Sequence, residues 1–315
     1  MKGFCFFSAI LVFLVSCKSL PSEDRHFSDI KNPNVLHLKI NPQSGSVYRY
    51  DVTNESKVVF KLEEKEIINI NKSQAGVLYE VSKDSMGNFI FNITYDKIKL
   101  YTKNRDAETD LDAANADISL DPLEKLLGII LKSKLKVTLS PRGEMQKIDG
   151  YKDMSDQILS KFSPADEAGK KAAIGLLEKF VKEEMIQRNI DQIFKIFPDS
   201  AVHIRDKWQI TSKYPGEISM NIKTNYILND IDEKVASIAA EALIESDSAN
   251  VNYMGYDVGA GLKGQQSGLY EIEITSGMLK SCRITGIIKG NINVLARELP
   301  VTIETNVKMR GEKIK

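Results

Sequence analysis

The stretch Tyr48-Arg49-Tyr50-Asp51-Val52 places an apolar side chain at every second position, and Val58, Phe60 and Leu62 resume the same spacing further along. Alternation of this kind marks a strand with one face buried and the other wet, the signature of antiparallel sheets. The pattern recurs in Val77, Tyr79 and Val81, then in Phe89, Phe91, Ile93 and Tyr95 behind the turn pair Gly87-Asn88. Towards the other end of the chain it returns in Trp208 and Ile210, in Ile218, Met220 and Ile222, in Tyr270, Ile272 and Ile274, and in Val301, Ile303 and Val307. Most of the chain therefore reads as strand.

The middle changes period. Asp121-Pro122 opens a short helix through Leu123, Leu126, Leu127 and Ile130. A second helical block spans 163–197. Ser163 can cap it and Pro164 sits at its first position, while Pro198 stops it. Ile174, Leu177, Val181 and Met185 form one apolar stripe, and Ile186, Ile190, Ile193 and Phe197 form a second. With Phe180 added the apolar face becomes wide and calls for a concave partner. The expected architecture is α+β: a large curved antiparallel β-sheet wrapped around a central helical block. Its two sheet halves, about 41–150 and 200–315, are joined by helices within 151–198 to make a single domain over 41–315.

Upstream lies a different kind of segment. Phe4 to Val15 carries no charge and falls short of the ~20 apolar residues a spanning helix needs, so residues 1–16 read as a signal peptide. Leu14-Val15-Ser16-Cys17 resembles the bacterial lipobox, in which a small residue precedes a Cys whose thiol accepts a diacylglyceryl group. Cys17 is thus the expected lipid-attachment residue, and residues 17–40 the lipidated Cys and its tether. Two or more acyl chains give the stable anchoring that one does not. Lys18 stands where an inner-membrane retention Asp would be, which points to the outer membrane, on its periplasmic side.

Composition narrows function. Hydrophobic residues at 42% and charged residues at 27% match a folded globular chain, which excludes a disordered or collagen-like one. Lys plus Arg equals Asp plus Glu, 43 against 43, so no global basic field exists to gather nucleic acid. Three Cys and three His are too few for a zinc or disulfide framework, and no metal or cofactor is expected. Asp106, Glu108, Asp110, Asp112 and Asp117 have a calcium-loop spacing, but Leu111 occupies the position that needs Gly, so they read as a solvated acidic loop. Gly259, Gly261 and Gly264 spell G-x-G-x-x-G, yet a strand-like run follows where a dinucleotide site requires a helix, so they read as a flexible loop. His26, His37 and His203 have no ligand or nucleophile at a useful spacing. No catalytic constellation emerges.

The lipobox ending at Cys17, the opening Gly45-Ser46-Val47-Tyr48-Arg49-Tyr50 and the hairpin Leu139-Ser140-Pro141-Arg142-Gly143-Glu144-Met145 together resemble a family of Bacteroidota lipoproteins classed as a domain of unknown function. Pro198 with Asp206-Lys207-Trp208, and the Gly261 to Gly268 segment, add to the likeness. The resemblance implies no activity and carries over no functional residue. In the order of its elements alone the chain also resembles Lol-type lipoprotein carriers, which implies a sheet around helices with an apolar cavity between. On this reading the protein is a non-enzymatic lipoprotein that binds or carries an apolar small molecule or lipid. Its expected ligand-binding residues are Phe89, Phe91, Ile174, Leu177, Phe180, Val181 and Met185. The alternative is an envelope or surface lipoprotein that binds a protein or glycan partner.

Overall fold

A computed structural model describes residues 35–161, 183–214, 218–247, 251–253, 256–294 and 297–315. Residues 1–16, Cys17 and the expected site residues Ile174, Leu177, Phe180 and Val181 fall outside these, as does the Met185 side chain. In chain order the elements are β1 (Val47–Leu62), β2 (Lys65–Lys83), β3 (Phe89–Lys103), β4 (Glu108–Asp112), α1 (Pro122–Lys132), β5 (Lys134–Leu139), β6 (Met145–Asp149), α2 (Tyr151–Leu159) and α3 (Glu183–Phe194). There follow β7 (Lys207–Tyr214), β8 (Met220–Asp232), β9 (Val235–Ser246), β10 (Val251–Tyr253), β11 (Tyr256–Glu273), β12 (Leu279–Val294) and β13 (Arg297–Lys313).

All these strands join one antiparallel sheet in the order β6-β5-β3-β2-β1-β13-β12-β11-β9-β8-β7, with β4 on β3 and β10 on β11. The two sets of strands foreseen in the sequence meet at β1 and β13, where Tyr48 faces Lys313 and Phe60 faces Val301. The edge strands β6 and β7 are successive in the chain, so the α2–α3 region carries the backbone from one edge to the other.

The expected α+β fold with a central helical block is corrected: the molecule is mostly antiparallel sheet in one large open layer, with three short helices among the described residues. Length explains why. β1, β2, β11, β12 and β13 hold between 16 and 19 residues each. At ~3.3 Å per residue such strands extend over about 50 Å. α1 and α3, with 11 and 12 residues, cover only about 16–18 Å at ~1.5 Å per residue. Over the described residues the helices pack on part of the sheet only.

They do pack where their apolar stripes dictate. Leu126, Leu127 and Ile130 of α1 and Ile186, Ile190, Ile193 and Phe194 of α3 are buried in one large cluster with Tyr50, Tyr79, Phe91, Tyr226 and Tyr270. Asp121 caps α1 by accepting from the Leu123 N–H at 2.7 Å. Trp208 anchors the exit from α3: its indole N–H donates to the Ile196 carbonyl at 2.9 Å while its ring stacks on Tyr226. Leu38 and Ile40 are also buried in this cluster, and Leu36 bridges to Val202, so the end of the foreseen tether belongs to the fold.

A second cluster lies on the same face, further along the strands. It comprises Val58, Phe60, Met220, Ile222, Ala242, Ile244, Ala260, Leu262, Ile288, Ile292, Val301 and Ile303, and no described helix residue belongs to it. Small and polar residues divide the two. Thr224, Ala242, Gln266, Gly286, Thr305, Ser56 and Asn71 are successive register partners across seven neighbouring strands. The Asn71 amide donates to the Ser56 hydroxyl at 3.4 Å within that row.

The glycine-rich run is not a loop. Gly259, Gly261, Gly264 and Gly268 lie within β11, paired to β12, and from Lys263 onward to β9 as well. Gly264 is needed there because a Cβ would sit 2.4 Å from Ile288 Cγ1 and 2.5 Å from the Ile287 carbonyl oxygen. At the β5–β6 turn Gly143 has φ +84°, and a Cβ would meet the Phe194 carbonyl oxygen at 2.5 Å, so this turn packs directly on the end of α3. No described helix is long and apolar enough to cross a membrane.

Candidate functional site

Of the sequence-predicted site residues, Phe89 and Phe91 have described side chains, and Phe91 packs under α3. Phe91 is fully buried and its ring centroid is 5.2 Å from that of Phe194 and 6.1 Å from that of Tyr79. Phe89 is buried beside Leu139 on the neighbouring strand, with the Lys83 ammonium 4.6 Å from its ring centroid. The aromatic surface these residues offer is thus taken up by the protein's own side chains. Beyond it, Asp191, Gln192 and Lys195 of the α3 region face Tyr214, Tyr226, Gln266 and Tyr270 across a gap of about 30 Å³, room for roughly one water.

The titratable groups have settled surroundings. Burial pushes the Cys282 thiol up to about 12, which keeps it protonated and unreactive. Desolvation raises Tyr50, Tyr226 and Tyr270 above the usual phenol range, so their hydroxyls remain neutral. It also raises the Asp191 carboxyl, opposed by the Lys195 charge, and lowers Arg188 to about 10. The acidic series resolves into strand geometry: Glu108, Asp110 and Asp112 alternate along β4 and share one of its sides. Glu108 pairs with Lys103 at 2.9 Å, Asp112 with Lys99 at 2.6 Å and Asp117 with Lys132 at 2.7 Å. His203 contacts Asp206 at 3.2 Å and is exposed, as is His37. Among the described residues no group of three or more His, Cys, Asp or Glu could hold a metal ion.

Two larger hollows lie among the described residues. One, of about 680 Å³, runs between α1 and α2. Of its apolar members Leu126 and Met154 are buried in the core and Ile129 is half-buried, while Lys125, Lys132, Asp153, Gln157 and Lys161 make up much of its remaining lining. The other, of about 670 Å³, lies on the open face of the sheet, opposite the helices, across β7, β8, β9, β11 and β12.

Two adjacent cross-strand rows build this open-face groove. Thr211, Lys223, Leu243, Gln265 and Ile287 are successive register partners in one row. Asn221, Glu245, Lys263 and Lys289 follow in the next. Leu243 is 57% exposed in the middle of the first row, and Ile287 is half-buried beside it. Leu243 and Ile287 are the aliphatic side chains that this groove offers to solvent, beside Lys223, Lys263 and Lys289. Lys263 pairs with Glu245 at 2.7 Å, whose carboxylate holds that ammonium above the usual lysine range. The groove thus has an aliphatic floor and a charged rim, at a volume typical of a small-molecule site. Sequence reading missed it, although Ile287-Ile288 contained the signal: two adjacent aliphatics in an alternating strand must face opposite ways, so one of them leaves the core.

By fold and site, this is an open antiparallel sheet protein with its core on one face and a groove on the other. Residues 86–279 match the Family of unknown function (DUF6263), and the chain belongs to that family. A comparison with the curated proteins found no match. Among solved structures the chain is similar to a lipovitellin structure described for its lipid–protein interactions, at 11% identity and TM-score 0.47. That match covers 86% of this chain but 25% of lipovitellin, so this chain spans about a quarter of that protein. It also aligns with the COG4313 outer membrane channel from Pseudomonas putida F1, at 7% identity over 90% of this chain and 100% of the channel, TM-score 0.23. Pseudomonas aeruginosa OpdQ aligns at 6% identity over 86% and 99%, TM-score 0.21.

Proposed function

We propose that this protein is a non-enzymatic lipoprotein, anchored through Cys17 to the periplasmic side of the outer membrane, that binds an apolar ligand or lipid. The observation that carries the binding reading is the open-face groove, with Leu243 exposed and Ile287 half-buried in a hollow of about 670 Å³. Burying a large aliphatic side chain against an acyl chain is worth ~1.5–3 kcal/mol, and the contact is non-directional, which suits a carrier better than a catalyst. The lipobox supports the anchor. The full chain should incorporate radiolabelled palmitate, and Cys17→Ala should abolish the labelling. For the ligand, the Cys17→Ala chain is purified from the periplasm and weighed by native mass spectrometry before and after organic extraction. A stoichiometric extra mass lost on extraction supports the reading, whereas a bare protein mass with no stabilisation by added lipids counts against it.

A second reading, an interaction protein of the envelope, draws on Ile118 and Leu120, which are 85% and 93% exposed in the loop before α1. A protein partner that is retained by the full chain and lost with Ile118→Ser plus Leu120→Ser would favour it.

A further inference from the structure

The charges around the open-face groove say more about what lies in it. Lys263 and Lys289 stand directly opposite each other on β11 and β12. Like charges at such positions repel and destabilise the pair. Glu245, on the other side of Lys263, neutralises that one lysine at 2.7 Å. Lys289 and Lys223 make no ion pair among the described residues, and both are exposed. The rim therefore carries three lysines against one glutamate, over a floor of Leu243 and Ile287.

We propose that the groove takes a single-chain anionic amphiphile. Its acyl chain lies across Leu243 and Ile287, and its acidic headgroup sits between Lys263 and Lys289. The inference rests on the ligand-binding reading above and narrows it to one chemistry. An acidic headgroup placed between the two ammonium groups accepts charge-assisted hydrogen bonds from Lys289 and shares the Lys263 ammonium with Glu245. An aliphatic floor beside those charges selects a molecule with both an acid and a chain, and it disfavours a bare inorganic anion. The hollow is sized for one chain and not for a bilayer patch.

The test uses the full chain with Cys17→Ala, so that no anchor lipid competes, titrated calorimetrically with dodecanoate and separately with dodecanol. Saturable one-to-one binding of dodecanoate is expected, with dodecanol at least about tenfold weaker. Lys289→Gln, which breaks no ion pair among the described residues, should bring the dodecanoate affinity down to near that of dodecanol with an unchanged melting temperature. Equal affinity for the acid and the alcohol, unaffected by Lys289→Gln but abolished by Leu243→Ser, overturns the anionic inference and leaves the apolar-ligand reading intact. No saturable binding of either probe overturns both. So does a dimer of the protein that Leu243→Ser dissociates, because the groove's occupant is then a second copy.

Discussion

The two faces of β8, β9, β11 and β12 are written in the same residues, one position apart. On the helix face Ile222, Ile244, Leu262 and Ile288 are buried in the strand-only cluster. On the open face their neighbours Lys223, Leu243, Lys263, Ile287 and Lys289 line a groove. An aliphatic side chain on the first face contributes to folding through its burial, and selection for stability accounts for it fully. On the second face the same kind of side chain contributes little to folding and stays available for the ligand contact proposed above. The account stands or falls on that asymmetry, and substitutions on the two faces should separate it into stability on one side and binding on the other.

The largest effect is expected at Ile288, where Ile288→Ala should cost about 2–5 kcal/mol in denaturant unfolding, because a fully buried side chain leaves a cavity. Gly264→Ala comes next. Its new methyl group would stand 2.4 Å from Ile288 Cγ1 and 2.5 Å from a backbone carbonyl that cannot easily move. A loss of about 1–3 kcal/mol should follow, and an unchanged unfolding midpoint would show that the sheet yields there more readily than the close approach implies. Alkali should produce a graded loss, about 1 kcal/mol by pH 10. Burial raises the folded Cys282 pKa to about 12 from an ordinary 9.0, so the unfolded chain gives up this proton first. The stability it contributes is complete below pH 9 and falls as pH rises from 9 towards 12, by about 1.4 kcal/mol per pH unit at most. Cys282→Ala should remove that part of the slope. The smallest stability effect belongs to the open face: Leu243→Ser should change unfolding by about 0.5 kcal/mol or less while abolishing ligand binding. A large stability loss in Leu243→Ser would erase the distinction between the faces.

Much of this was readable in the sequence, and the rest fails for identifiable reasons. Alternation through Tyr48, Tyr50, Val58, Phe60, Phe89 and Phe91 locates β1 and β3 and assigns their buried sides, because one face of each is consistently apolar. The Gly143 turn and the helix start at Asp121-Pro122 were legible because positive φ and a helix's first position favour few residue types. Of β11 only the end through Tyr270 and Ile272 was, since four of its residues between 259 and 268 are glycine, which has no side chain to reveal a period and reads as loop. Strand order was also hidden: nothing local tells Tyr48 that Lys313 lies beside it. The balance of sheet over helix was misjudged because a period shows what an element is but not how far strands outreach helices per residue. The groove needed the register itself. Lys263 and Lys289 are far apart in the chain, and only the β11–β12 pairing places them side by side.

The most direct test is photo-crosslinking with a diazirine-bearing dodecanoate, followed by mapping of the labelled peptides. The account predicts label on residues 221–223, 243–245, 263–265 and 287–289, competed away by unlabelled dodecanoate. Label concentrated at Phe89 and Phe91, or along the hollow between α1 and α2, would contradict it and return the ligand to the helix face of the sheet.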